Sequence, residues 1–338
     1  MRIRALIVRI LRQFRHDKRT MALMFIAPML ILTLVSYVFN GDTADPRIGT
    51  VAIPPVMTEP LSAQNAVLTT YDSHEAEEAL KDNEIDAILR MENGSLQVKL
   101  EGSNPVKSRA VLMLLQQTFS PKTTGSAPQV TYLHGSSDMA AFDNFGPVLL
   151  GFFSFFFVFL IGGISFLRER TNGTLERLLA TPLRKWEIVA GYVMGFGLFT
   201  LIQSVLIVLF AVYVLGLMMV GSFPLLLLVI VLLTLTALTL GILISTFAGN
   251  EFQMIQFIPI IIIPQVFFSG LFDMDTMAPW LRWLSTIMPL KYGADALRNI
   301  MIRGYGFTAV VPSILVLTGL SLIFMLLNIL ALRKHRRI

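Results

Sequence analysis

The residues of this 338-residue sequence that could do chemistry are few and concentrated. The richest stretch is 168–188, Arg-Glu-Arg-Thr-Asn-Gly-Thr-Leu-Glu-Arg-Leu-Leu-Ala-Thr-Pro-Leu-Arg-Lys-Trp-Glu-Ile, lying between two long apolar runs. Gly173 offers a turn, Thr174 can cap a short helix from Leu175 to about Thr181, and Pro182 ends it. That helix sets Leu175, Leu178 and Leu179 on one face and turns Glu176 and Arg177 towards water or a partner. A second helix beginning near Leu183 carries Arg184 and enters the next apolar run through Trp186, an interfacial anchor. Read on residues alone, the loop is either a force-bearing contact or an ordinary basic loop that fixes topology.

Other chemistry is largely missing. No Gly-x-x-x-x-Gly-Lys-[Ser/Thr] phosphate loop occurs, so ATP has no cradle here and any energy source must come from elsewhere. His16, His74, His134 and His335 stand singly and Cys is absent, which argues against a metal site and excludes disulfides and thiol nucleophiles. The acids beside the apolar runs, Asp143, Glu169, Glu187, Glu251, Asp273 and Asp275, all lie near their ends, leaving no obvious proton relay. Neither a catalytic residue nor a metal ligand is expected. A last polar cluster falls within 273–303, where Trp280, Trp283 and Tyr292 accompany Arg282, Lys291, Asp295 and Arg298. It reads as a pair of helices dipping into the membrane to gate exit, or as an aromatic belt that seats a loop at the interface.

The elements that carry these residues are membrane helices. Hydrophobic residues make up 54% of the chain and charged ones 14%, against roughly a quarter charged in soluble proteins. Charge-free stretches delimit the spans: 21–39, 144–167, two within the 63 uncharged positions between Glu187 and Glu251, 252–272, and 304–332. Gly221 and Pro224 divide the long run, and Pro28, Pro259 and Pro264 imply kinks whose freed backbone groups neighbouring helices must satisfy. Gln203, Ser204, Gln256 and Gln265 inside spans could line a path, but such residues more often bond helix to helix. The start, 1–20, has Ile3, Leu6, Ile7, Ile10, Leu11 and Phe14 on one helical face and arginines on the other, as in a helix lying at the interface or a basic flank.

Of the 27 Lys and Arg, 16 fall at the N-terminus, in the 168–187 loop and in the tail, so that side is cytoplasmic, with both termini inside. The net charge of +5 is explained by these anchors, and nucleic acid is given little weight. Residues 41–140 then lie outside as a water-soluble insert with 13 acids against 7 bases. Strands are expected at 48–53, 67–71, 85–90, 96–100 and 130–133, and helices at 73–83, opened by Ser73, and at 105–119. Asn93-Gly94-Ser95 matches a glycosylation acceptor and is read as a turn. The fold class is therefore an all-α polytopic membrane protein of six transmembrane helices, with an extracytoplasmic α/β domain inserted between helices 1 and 2. Its divisions are 1–20 interfacial helix, 21–40 first span, 41–140 inserted domain, and 141–335 the other spans, with a coupling helix at 173–183 and an outer re-entrant loop at 273–303.

The loop through Arg168, Glu169, Arg170, Gly173, Thr174, Leu175, Glu176, Leu178, Leu179, Thr181 and Pro182 resembles the ABC-2 family of ATP-binding-cassette transporter permeases, which carries Glu-Arg-Glu-x-Gly-Thr-Leu-Glu-x-Leu-Leu-x-Thr-Pro before its third span. The family's acidic position near Thr171 and Asn172 is missing. A second resemblance runs through Ser269, Gly270, Phe272, Pro279, Trp280, Pro289, Tyr292, Asp295 and Arg298, with Met288 where the family has Asn. The resemblance implies a coupling helix with Glu176, Arg177 and Arg184 as polar contacts and Leu178 and Leu179 as packing anchors, and an outer gate around Ser269, Gly270, Trp280, Pro289, Tyr292, Asp295 and Arg298. It implies a permease without enzymatic activity in a prokaryotic cell membrane, among membrane lipids, paired as a homodimer or heterodimer. A cytoplasmic ATPase subunit that binds ATP and Mg would drive export of a hydrophobic or amphipathic drug, antibiotic or lipid-like substrate. Ion extrusion by such a permease, an ion-gradient secondary transporter and a membrane-anchored sensor are the rivals.

Overall fold

A computed structural model describes residues 2–40, 46–62, 66–82, 84–92, 95–100, 110–115, 118, 141–271 and 279–334. In chain order the elements are α1 (Arg2–His16), α2 (Lys18–Asn40), β1 (Arg47–Val51), α3 (Pro55–Ser62), β2 (Val67–Thr70), α4 (Ser73–Lys81), β3 (Ala87–Glu92) and β4 (Ser95–Leu100). There follow α5 (Ala141–Thr171), α6 (Thr174–Leu179), α7 (Lys185–Leu209), α8 (Phe223–Ser245), α9 (Glu251–Val266), α10 (Pro279–Ser285), α11 (Pro289–Met301) and α12 (Phe307–Lys334). The helices α7 and α9 each end in a π-helical turn, Phe210–Val214 and Phe267–Leu271. The chain divides into two compact units, 1–39 with 132–338, and 40–131.

The smaller unit is a four-stranded sheet of order β2-β1-β3-β4, in which β1 is parallel to β2 and β3, and β3 and β4 are antiparallel. Alternation along β3 sends Ala87 and Leu89 to a cluster with Leu61 and Val111, and Ile88 to another with Ala76 and Leu80. Helices therefore cover both faces, an α/β insert as expected. The segment 55–62, to which the sequence reading assigns no element, is helical, and α4 is capped by Asp72, one residue before Ser73. The expected strand at 130–133 and Asn93-Gly94 lie outside the described residues, as does much of 105–119.

In the larger unit six helices are long and apolar enough to cross a membrane: Lys18–Val38, Phe142–Thr171, Lys185–Val214, Phe223–Ser245, Glu251–Leu271 and Phe307–Leu332. The most extensive packing is of α5 on α8, then α12 on α8. At the first contact the backbones touch: a Cβ on Gly241 would lie 2.5 Å from the carbonyl oxygen of Phe159. Close approach at small residues is how helices associate where lipid supplies no hydrophobic drive. Side-chain hydrogen bonds then tie the spans. The hydroxyls of Ser204 and Thr234 meet at 3.1 Å, those of Thr236 and Ser321 at 2.7 Å, and Asn328 Nδ2 donates to Thr239 O at 2.9 Å. Of the four polar residues noted inside spans, Ser204 and Gln265 bond across helices. The buried amide of Gln203 meets no partner among the described residues, and Gln256 is exposed.

The N-terminal helix has a neighbour that its own periodicity does not name. Its apolar face is used on protein: Leu6 and Ile10 fit over Gly191 and Gly195 of α7, and Phe14 stacks on Phe199 at 4.8 Å and meets Phe196 edge-on at 5.2 Å. Successive turns of α1 thus lie along successive turns of α7, because two glycines four apart leave a groove for branched side chains. Asp17 breaks the chain between α1 and α2 and caps α2, its carboxylate accepting from the Thr20 amide at 3.1 Å and the Thr20 hydroxyl at 2.6 Å. Those two bonds, helped by the charge of Arg168, hold the Asp17 carboxyl below its ordinary range.

Candidate functional site

Two sites emerge, one at each end of α9. The first is built on the last turn of α5, where Arg168, Glu169 and Arg170 point to three different neighbours. Arg168 grips Glu251 at the start of α9 with two bonds, Nε to Oε1 at 2.7 Å and Nη2 to Oε2 at 3.3 Å, and lies 3.6 Å from Asp17. Glu169 is 3% exposed and accepts from Arg9 Nη2 at 2.5 Å and from the Tyr192 hydroxyl at 3.0 Å. Partial burial works to lower the Arg9 guanidinium, but the bond and charge of Glu169 outweigh it and leave Arg9 above its ordinary value. Arg170 donates to Thr246 O at 2.6 Å and to Ala248 O, two carbonyls just past the end of α8. A cation there meets carbonyls without helical partners and the negative end of the helix dipole. One turn of helix thereby fastens α1, the start of α2, α7, α8 and α9.

The short helix α6 leaves directly from this turn. Gly173 has φ +71, and its amide donates to Arg170 O at 3.1 Å while Asn172 N–H closes on Arg168 O at 2.9 Å. One glycine in the left-handed region therefore ends α5 and opens α6, the geometry a side chain disfavours. Thr174 is the first helical residue rather than the cap, and the helix stops at Leu179, two residues before the expected Thr181. A residue before proline is disfavoured in the helical region, and here the Thr181 amide and hydroxyl both turn back to Leu178 O, at 3.1 and 2.6 Å. Leu175 is buried, Leu178 and Leu179 pack half-buried against the helical core, and Glu176, Arg177 and Arg184 are exposed, without an ion pair among the described residues. The Arg184 amide donates to Glu187 Oε2 at 2.7 Å, and Trp186 is exposed at the foot of α7.

The second site lies at the far end of α9, about 30 Å away along 21 residues at 1.5 Å each. There the π-turn contains Gly270 at φ +82, whose carbonyl accepts from Arg298 Nη2 at 3.0 Å. A Cβ at Gly270 would come within 2.9 Å of Arg298 Nη1. Ser269 is buried and bonds back to Val266 O at 2.7 Å. Pro289 starts α11, and the Leu290 amide donates to Gln265 Oε1 at 3.0 Å. The Tyr292 hydroxyl donates to Thr286 O at 2.8 Å, and Asp295 faces the charges of Arg298, Lys291 and Arg303. Ser269, Gly270, Pro289 and Arg298 are thus brought together; Trp280 and Trp283 stand exposed on α10. Residues 272–278, with Asp273 and Asp275, lie outside the described residues.

Both stretches with a family pattern therefore sit where helices are fastened to one another. A sequence profile described as "ABC-2 family transporter protein" matches residues 18–330. The chain belongs to the ABC-2 transporter family. It is similar over its whole length to the "Probable multidrug ABC transporter permease YbhS" of Escherichia coli K12, at 23% identity and covering 97% of that protein. Over 52% of the chain it is 29% identical to the "Inner membrane transport permease YhhJ" of the same organism, covering 47% of it. Over 60% of the chain it is 27% identical to "ABC transporter G family member 20" of Dictyostelium discoideum, of which the match spans only 28%. With six apolar helices, this member of the permease family is a multi-pass membrane protein, and such permeases work with ATP-binding-cassette partners.

Sequence reasoning had quoted Arg168, Glu169 and Arg170 as pattern without assigning them work, and had not proposed Arg9, Asp17, Tyr192 or Glu251 as site residues. Arg168, Glu169, Arg170, Asp17 and Glu251 lie at helix ends, whereas Arg9 is in the middle of α1 and Tyr192 two turns into α7, and no local signal joins them.

Proposed function

We propose that the chain is the permease subunit of an ABC exporter, with α6 as the coupling helix that receives force from a separate cytoplasmic ATPase. The observation that carries this reading is the fastening of the α5 end to five elements at the point where α6 emerges. A push on the exposed Glu176, Arg177 and Arg184 would pass through Leu175, Leu178 and Leu179 into α5, and from there to α9, whose other end holds the Gly270 and Arg298 contact. Arg9, Arg168, Arg170, Arg177 and Arg184 cluster at one end of the helices, which favours that end as cytoplasmic, with both termini inside and residues 41–140 outside.

In this reading ATP and Mg are bound by the partner. Two permease chains, identical or sibling, enclose a cavity that alternates between sides, and α10 and α11 form the outer gate with Ser269, Gly270, Pro289, Tyr292, Asp295 and Arg298. The multidrug description of the YbhS relatives favours a hydrophobic or amphipathic substrate. Replacing Glu176 and Leu179 together by Ala tests the coupling. The ATPase should co-purify several-fold less well, as expected for an exposed Glu176 contact worth about 1 kcal/mol, and transport should fall further because Leu179 no longer seats α6 on the helical core, while the permease stays folded. Unchanged co-purification and transport would sink the assignment.

A further inference from the structure

The outward face of α1 is strongly basic and makes no use of its charge. Arg4, Arg12 and Arg15 are exposed and form no ion pair among the described residues, and α1 contains no acidic residue. A shallow groove of about 520 Å³ runs beside them, lined by Arg4, Ala5, Val8, Arg9 and Arg12. The apolar face of the same helix is already occupied by α7, so α1 is held in place by protein and its arginines are not there to balance an inserted apolar face. One residue, Asp17, separates α1 from the membrane span that begins at Lys18, and Lys18 and Arg19 are also exposed. A helix tied so closely to the start of a span stands at headgroup depth.

We propose that this face of α1 binds the headgroups of anionic phospholipids. Charge complementarity selects the occupant: phosphate oxygens accept from guanidinium forks, and the exposed Ala5 and Val8 between the arginines suit the glycerol region of a lipid. The site is distinct from α6 and rests only on α2 being a span, so it stands or falls independently of the ATPase coupling. Lipid docked there would press α1 onto α7 and hold Arg9 at Glu169.

The test uses the full chain purified in detergent, with retained lipid read by native mass spectrometry after titration with phosphatidylglycerol or phosphatidylcholine. Wild type should retain phosphatidylglycerol preferentially. The combined Arg4→Gln, Arg12→Gln, Arg15→Gln variant should lose at least tenfold in that affinity, on the order expected when three surface cations are removed, and the matching Arg→Lys variant should recover most of it. Circular dichroism melting identifies folded Gln variant, and only that is scored. Equal retention of the two lipids by wild type, or undiminished phosphatidylglycerol retention by the Gln variant, would overturn the proposal. So would displacement of the lipid by millimolar inorganic phosphate, which marks a soluble-anion site, or loss of ATPase binding in the Gln variant with lipid binding intact, which marks a protein interface.

Discussion

Replacing Glu169 by Ala is expected to destabilise the helical unit by about 1–3 kcal/mol, the cost of stranding a buried polar partner. Two groups lose their acceptor. Arg9 retains 35% side-chain exposure and can turn to water, whereas the Tyr192 hydroxyl is fully buried and cannot. Most of the penalty therefore belongs to Tyr192, and the estimate stays below the 3–5 kcal/mol typical of breaking a fully buried ion pair. Tyr192→Phe alone should cost little, about 0.5–1.5 kcal/mol, because Glu169 keeps Arg9. In the double variant no hydroxyl is left to satisfy, so the combined loss should fall short of the sum of the singles. Thermal unfolding of the four proteins in detergent measures this directly. Strict additivity would mean that the two side chains do not interact. Because Glu169 also tethers α1, Glu169→Ala should lower transport more than the stability loss alone explains, and Glu169→Gln, which keeps an acceptor, should lower it less.

The second large effect is at the contact of α5 with α8. Alanine for glycine in a helix gains about 1 kcal/mol in propensity. At Gly241 that gain is opposed by a Cβ placed 2.5 Å from the backbone oxygen of Phe159, which has no rotamer to yield. Overpacking of this kind costs about 1–3 kcal/mol and more for a larger residue. Gly241→Ala should thus be net destabilising, and Gly241→Val should leave little folded protein. Gly319 on α12 meets nothing within 4 Å, so Gly319→Ala should be neutral or slightly stabilising. A raised melting temperature for Gly241→Ala, or an equal response at the two glycines, would contradict the close packing of α5 on α8.

These contacts also mark what the sequence conveys. The six spans were legible because hydrocarbon forbids charge, so runs free of Asp, Glu, Lys and Arg almost delimit them, and short apolar runs such as 48–53 and 85–90 marked strands of the insert. Pairings between distant residues were not. Nothing local to Arg168 names Glu251, 83 positions on, and the fit of Leu6 and Ile10 onto Gly191 and Gly195 joins segments whose own periodicity is equally compatible with lipid. The N-terminal helix was for that reason open to two readings, an interfacial helix or a basic flank, and its seat on α7 was legible in neither. The short helix was placed correctly but begun and ended wrongly, since Thr174 looks like a cap and only the positive φ at Gly173 reveals that the turn residue fills that position. No element was assigned to 55–62, where Pro55 takes the first helical position and has no amide to lose.

The proposed role of α6 is open to a direct measurement, since the chain has no cysteine and a single introduced thiol is unique. Arg177→Cys, exposed on α6, and Trp280→Cys, exposed on α10, report on opposite ends of α9. In intact cells a membrane-impermeant maleimide should label Trp280→Cys and spare Arg177→Cys until the membrane is opened, and a short bifunctional cross-linker should join Arg177→Cys to the ATPase subunit. Labelling of Arg177→Cys from outside, or cross-linking to the ATPase through Trp280→Cys instead, would contradict a cytoplasmic coupling helix at 174–179.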